Sequence, residues 1–391
     1  MTYAVIDCES TFFQKGNPFS YRNRLCLVGV RINGINEIIP IEYDPTHPYS
    51  EGLTRLGELI NSVSTIVLFN AKFDLNWLAR YGVFIPDTCL VFDCQLVEFI
   101  LGNQRPAYPS LDWCLSKYGL GSKSDVVRTE YWEKGIDTDH IPIDVLNEYL
   151  NGDLLKTDEL YIRLQSELVR ESAKTNLIQL HLSDLRILQE MEFNGQRFSW
   201  DSLADAQILA SEELREIDAE IKNGWVPVEA RHIFNIDSGD HLSTLLYGGM
   251  LRGKQATLYQ REFKTGPRAG ESTTANRWTP YEYKFERLVT PPKGSELKKD
   301  GFFSTDEETL LSLSKPKALL RLLHRRAELA KLIQTYLLGL PSIRDKYDWQ
   351  DGLLHGTFNQ CRVITGRLSS EKPNQQNFPK ELNEYIVSRF D

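Results

Sequence analysis

Hydrophobic and polar positions change their period twice along this chain of 391 residues. Residues 3–7 (YAVID), 25–31 (LCLVGVR) and 36–42 (NEIIPIE) are rich in β-branched side chains and bounded by turn formers, which predicts strands. A helical stretch near 51–62 precedes TIVLF at 65–69, a short run of the fully buried strand type. Helical spacing then predicts helices over 72–81, 93–101, 110–118 and 142–172. Strands first, then strands mixed with helices, predict an α/β domain on a mixed sheet.

From about 176 the period becomes long and helical, in DLRILQEMEF (184–193) and SWDSLADAQILASEELREIDAEIKNG (199–224). Over 255–302, Gly, Pro, Thr, Arg and Lys dominate and the period is lost, which predicts an irregular insertion. Helix resumes over 306–340, where an apolar stripe lies opposite a basic face. The chain has no internal repeat.

Composition adds limits. The mean hydropathy of -0.36 and 25% charged residues are those of a globular protein. No apolar run approaches a membrane span, and MTYAVIDCES places acids where a signal peptide needs a basic and then an apolar stretch, so a cytoplasmic protein is expected. The net charge of -9 sits almost wholly in the first part: residues 1–175 carry 16 Lys+Arg against 24 Asp+Glu, the remainder 29 against 30. Six scattered cysteines without a C-x-x-C pair predict reduced thiols rather than a disulfide framework or a zinc site.

Three carboxylate positions carry the candidate chemistry. Asp7 and Glu9 alternate on one strand, so both project from the same sheet face, and the repulsion between them calls for a cation. Alone, the pair is equally an exposed acidic strand end. Asp74, in NAKFDLNWL (70–78), falls on the first turn of a helix that follows a strand, with Asn70 at the N-cap position. An acid there is also favoured simply by the helix dipole. Tyr149 and Asp153, four apart on a helix, share a face.

Together, acid-x-acid on a first strand, Asn-x-x-x-Asp after a later strand and Tyr-x-x-x-Asp on a late helix resemble the DEDDy subclass of the DEDD exonuclease superfamily, over about the first 170 residues. VFDCQLVEFIL (91–101) and SLDWCLSKYGL (110–120) are similar to that family's intervening helices, and Ser10 stands where threonine is more usual. The resemblance implies a ribonuclease H-like mixed sheet with flanking helices and two-metal phosphodiester hydrolysis. It assigns one Mg²⁺ or Mn²⁺ to Asp7, Glu9 and Asp153, a second to Asp7 and Asp74, and orientation of the attacking water to Tyr149. Oxygen donors without Cys or His suit hard cations rather than zinc.

Four later segments, FNIDSGDHLSTLLY (234–247), STDEETLLSL (304–313), AELAKLIQTYLLGLP (327–341) and HGTFNQCRVITGRLSSEKPNQQNFPK (355–380), occur in that order. They resemble the thumb and palm entry of a family A DNA polymerase of the bacterial DNA polymerase I type. The resemblance implies that Arg367, Ser369, Asn374 and Gln376 face primer–template DNA, with His355, Thr357, Asn359 and Gln360 beside it. Thr365, Ser370, Asn377 and Asn70 complete the expected DNA contacts. Gln375 departs from the usual leucine, which affects packing rather than contacts. Lys315, Lys317, Arg321, Arg325, Arg326 and Lys331 form a basic helix face suited to duplex backbone.

The expected organisation is an exonuclease domain over 1–175, a mainly α-helical thumb over 176–345 with the insertion 255–302, and the start of a palm over 346–391. No segment resembles the palm's catalytic aspartates or the nucleotide-binding fingers helix, and no 5′-nuclease segment precedes the first strand. The reading is therefore the N-terminal portion of a proofreading replicative polymerase, in the host cytoplasm if phage-encoded, that does not extend primers alone. Its expected partners are primer–template DNA, single-stranded 3′ ends, a complementing palm and fingers chain, and a processivity factor at 255–302. EYIVSRFD (384–391) ends in mid-palm, which favours that noncovalent partner. The alternatives are a standalone 3′→5′ exonuclease on single-stranded DNA or RNA and a catalytically silent DNA-binding assembly subunit.

Overall fold

The computed structural model describes residues 2–43 and 49–388; the stop at Asp391, from which a mid-palm ending is expected, lies outside them. Two units form, one from residues 1–200 with 340–391 and the other from 201–339.

The first unit is built on a five-stranded mixed sheet in the order β3-β2-β1-β4-β5, formed by β1 (Tyr3–Ser10), β2 (Leu25–Ile32), β3 (Ile35–Pro40), β4 (Thr65–Leu68) and β5 (Leu90–Asp93). β1 runs antiparallel to β2 and parallel to β4, and β4 is parallel to β5. β4 is buried throughout, as a strand covered on both faces must be. The flanking helices are α1 (Tyr49–Asn61), α2 (Ala71–Arg80), α3 (Cys94–Leu101), α4 (Leu111–Tyr118), α5 (Val126–Glu130), α6 (Ile143–Arg170) and α7 (Thr175–Asn194). Leu146, Leu150 and Leu154 of α6 are fully buried at helical spacing. Each contributes about 1.5–3 kcal/mol by leaving water.

α6 approaches the sheet closely because β2 has a glycine beneath it. A Cβ on Gly29 would stand 2.8 Å from Leu154 Cδ1 and 2.9 Å from Leu150 Cγ. Gly29 pairs with Asp7 in the β1–β2 register, so this contact sets the height of α6 over the acidic strand. Gly29→Val should cost about 1–3 kcal/mol through overpacking. It should also lift Asp153 away from Asp7; denaturant unfolding and metal binding, measured together, check both effects.

Further elements of this unit include β6 (Gln196–Phe198), the start of α8 (Trp200–Trp225) and, after residue 339, the strands β9 (Leu353–Leu354), β10 (Thr357–Asn359), β11 (Ser369–Glu371) and β12 (Ile386–Val387). β6 pairs with both β9 and β12, so segments on either side of the second unit share one small sheet. The boundaries expected at 175/176 and 345/346 thus differ from the structural ones, because α7 and β6 pack with the first unit.

The second unit holds most of α8, α9 (Gly239–Tyr247), α10 (Glu307–Ser312) and α11 (Lys317–Lys331), with a π-helical turn at Leu332–Leu337. The irregular insertion expected over 255–302 is corrected in part. β7 (Gly249–Glu262) and β8 (Ser272–Phe285) form a continuous antiparallel ribbon of 14 residues a side. Both faces are largely exposed, so neither strand carries the apolar–polar alternation that marks a half-buried strand.

All six cysteines are buried and free. No helix among the described residues is long and apolar enough to cross a membrane.

Candidate functional site

β1 and α6 bring the first, second and fourth of the expected carboxylates together. Ligand oxygens of Asp7, Glu9 and Asp153 all lie within 4.8 Å of one another. Glu9 and Asp153 are 7% and 6% exposed, so the repulsion is poorly screened by water. Burial and the Asp153 charge push Asp7 up to about 7. Burial, then the charges of Asp7 and Asp153, drive Glu9 well above the usual carboxylate range. Asp153 is also raised, chiefly by burial.

Asp74 stands beside this cluster rather than in it. It sits on the first turn of α2, and its Oδ1 accepts a 2.9 Å hydrogen bond from the backbone N–H of Cys8, between the two acids of β1. Burial and then the Asp7 charge raise its pKa. Asn70 occupies the N-cap position in a left-handed conformation (φ 62°), but its side chain makes no cap. Asp93, at the end of β5, caps this helix instead, its oxygens accepting from the N–H groups of Asn70 (3.1 Å) and Ala71 (3.0 Å). The Asn70 side chain is left exposed at the edge that carries Asp74.

Tyr149 is buried one turn from Asp153, packed edge-on against Trp132 with ring centroids 6.2 Å apart. Trp132 is tied through Thr138 Oγ1 (3.1 Å) to the Ser10 carbonyl (2.7 Å), which links the wall around Tyr149 to the end of the acidic strand. Burial and the Glu9 and Asp153 charges keep the Tyr149 hydroxyl protonated. Lys123, which sequence reasoning missed, donates to Tyr149 Oη at 3.0 Å and to Asp153 Oδ2 at 3.2 Å. The other oxygen, Asp153 Oδ1, is buried and has no hydrogen-bond partner among the described residues. An orphaned anionic oxygen among oxygen-only donors fits a hard divalent cation.

The expected DNA contacts divide sharply by exposure. Thr365, Arg367, Asn374, Gln376 and Asn377 are exposed along the loop around β11, while Thr357 and Ser369 are half-buried. Asn374 also caps its own turn, accepting from the Gln376 N–H at 3.2 Å. Ser370 is buried, its hydroxyl accepting from the Gln375 N–H at 3.2 Å. The Gln375 side chain lies so close over Gly356 that a Cβ there would meet it at 2.6 Å. Asn359 and Gln360 are buried, and Gln360 Nε2 donates to the His181 carbonyl at 2.9 Å. His355 is 4% exposed and stacks on Phe19. Its ring nitrogens face the Glu192 carbonyl (2.9 Å) and Asp351 (2.8 Å), so it supports the loop from within.

On α11, Arg325 is bidentate to Glu213 (2.7 and 2.9 Å) and Arg326 is paired with Asp218 and Asp237, so neither guanidinium is free. Lys317, Arg321 and Lys331 on α11, with Lys315 before it, are exposed without an ion pair among the described residues.

A family model described as DNA polymerase family A matches residues 281–389. DNA polymerase I of Synechocystis sp. is 28% identical over 349 residues, covering 87% of this chain and 30% of that protein. DNA polymerase I of Chloroflexus aurantiacus is 25% identical over 357 residues, covering 88% and 32%. The chain thus spans about a third of the length of these curated relatives. Among solved structures, the POL domain of Pol1 from M. smegmatis, in complex with DNA primer-template and dNTP, is similar with a TM-score of 0.59 at 19% identity. That likeness of fold covers 96% of this chain and 52% of the other. By a family match over residues 281–389 and by relatives along most of its length, the chain is similar to family A DNA polymerases of the DNA polymerase I type.

Proposed function

We propose that this chain is the N-terminal portion of a template-directed DNA polymerase, carrying a 3′→5′ proofreading exonuclease of ribonuclease H-like fold in residues 1–175. A duplex-gripping thumb within 176–345 and the start of a palm over 346–391 follow it. The observation that supports the nuclease most is the meeting of Asp7, Glu9 and Asp153 around a buried oxygen that lacks a donor. Asp7, Glu9 and Asp153 would hold one Mg²⁺ or Mn²⁺, and Asp7 with Asp74 a second. Such a pair supplies an activated water and charge stabilisation of the leaving 3′ oxygen. Tyr149 orients the water through its protonated hydroxyl, and Asn70 meets the incoming strand.

The thumb reading draws on the unpaired lysines and arginine of the α11 region and on the ribbon. Over 249–285 the ribbon has seven Lys+Arg against three Asp+Glu. Arg252 and Arg268 are paired with Glu282 and Glu271. Lys254, Arg261, Lys264, Arg277 and Lys284 have no ion pair among the described residues and remain for phosphates. Replacing residues 255–280 by a short Gly-Ser turn should weaken duplex binding severalfold and flatten its salt dependence. An unchanged affinity, with processivity lost once palm and fingers are supplied by a partner chain, would instead assign the ribbon to a processivity factor.

Polymerisation is assigned to this chain together with complementing palm and fingers. Primer extension by the chain alone, then with a candidate C-terminal polypeptide, tests that assignment. Rescue of synthesis by the partner supports it; strong nuclease activity without rescue would favour a standalone exonuclease.

A further inference from the structure

Lys123 lies in the loop between α4 and α5, outside every motif that marks the carboxylates. The loop is fastened so that this side chain points inward. The Lys123 backbone N–H donates to Asp112 (3.3 Å), and the Leu120 carbonyl accepts from Lys156 of α6 (2.8 Å). Val127, just beyond, is fully buried. From that anchorage the Lys123 stem crosses the Tyr149 ring, with Nζ 5.2 Å from its centroid, and the ammonium reaches Tyr149 Oη and Asp153 Oδ2.

This ammonium faces three clustered carboxylates. A lysine ammonium is a cation at neutral pH, and this one is paired with Asp153 Oδ2 at 3.2 Å. One positive charge cannot balance three carboxylates, and it leaves Asp153 Oδ1 without a partner. A divalent cation on the same carboxylates would repel the ammonium at close range in a poorly screened site. Lys123 has the means to leave, since its side chain is 22% exposed and its four-carbon stem rotates freely once unpaired. Gly119 and Gly121, both at positive φ, lie just before it in the segment that would adjust.

We propose that Lys123 is the resident counter-cation of the Asp7/Glu9/Asp153 cluster and gives up Asp153 when a divalent cation loads. The inference rests on the reading of this cluster as a metal site. It assigns Lys123 a positioning role: it holds the empty site together, keeps Tyr149 in place, and competes with the metal. The competition is a negative coupling of the ordinary size for linked sites, about tenfold in affinity.

Two measurements on the full chain test it. Mn²⁺ titrations by calorimetry should show the Lys123→Met variant binding about tenfold more tightly than wild type. The same variant should melt at a lower temperature in EDTA and recover with Mn²⁺. The second measurement uses wild type alone and does not depend on the variant folding. Amine-selective acylation read by mass spectrometry should label Lys123 slowly in EDTA and severalfold faster with Mn²⁺. Equal or weaker Mn²⁺ binding by a folded Lys123→Met protein, or labelling that ignores Mn²⁺, would overturn the exchange while leaving the metal site standing. Absence of Mn²⁺ binding by both folded proteins would overturn the metal reading itself, and this inference with it.

Discussion

Replacing Asp7 and Glu9 together by alanine should abolish magnesium-dependent digestion of single-stranded DNA, lowering the rate by roughly 10³-fold or more, on the order of 4 kcal/mol. Both side chains point from β1 toward Asp153, so the change empties the site without touching the sheet's core residues. The same variant should gain stability in EDTA. A carboxylate whose folded pKa is raised favours folding only below its unfolded value and opposes it as pH climbs through the folded one. Asp7 is raised from 3.8 to about 7, and Glu9 is also raised well above the usual carboxylate range. The metal-free variant should therefore be more stable than wild type near pH 8, with the difference vanishing toward pH 4. Thermal melts at the two pH values distinguish a functional cluster, held against its own repulsion, from a structural one. Undiminished nuclease activity in the variant would sink the site assignment.

Glu192→Ala should be the most damaging single substitution for stability, costing about 3–5 kcal/mol. Glu192 of α7 is 4% exposed and gathers three elements. It pairs with Lys72 of α2, accepts from Asn76 Nδ2 at 3.2 Å, and accepts from the Phe358 N–H of β10 at 2.7 Å. Lys72 also donates to the Phe358 carbonyl. Removing the carboxylate strands the Lys72 charge inside the protein. Lys72 lies two residues before Asp74, and Phe358 lies between Thr357 and Asn359. Loss of this hub should thus disturb the helix carrying one acid and the strand at the palm entry together. Chemical denaturation checks the stability, and a Glu192→Gln variant, which keeps the shape and one acceptor, should recover part of the loss.

Legibility in the sequence follows the physics of each feature. The acidic pair of β1 can be read because a strand's period of two puts Asp7 and Glu9 on one face. Asp74 and Asp153 can be read because a first helical turn and a four-residue helical step fix where a side chain points. The ribbon cannot, since strands wet on both faces carry no apolar alternation to detect. β5 is hidden in front of the following helix because four residues, Leu90–Asp93, show no period of their own. Lys123 lies in a loop, and only the fold brings it to a helix 26 and 30 residues away. Long-range partners decide the remaining cases. The position of Asn70 at a helix start is legible, yet Asp93 does the capping. His355, Arg325 and Arg326 are DNA-facing types by sequence, yet Asp351, Glu213, Asp218 and Asp237 occupy their polar groups.

The exonuclease assignment meets its sharpest test in digestion of a single-stranded oligonucleotide labelled at one end or the other, by wild-type protein with Mg²⁺ or EDTA. Mononucleotides should appear first from the 3′ label, only with Mg²⁺, while the 5′-labelled strand shortens stepwise. Release that begins at the 5′ end, or proceeds equally in EDTA, would contradict it.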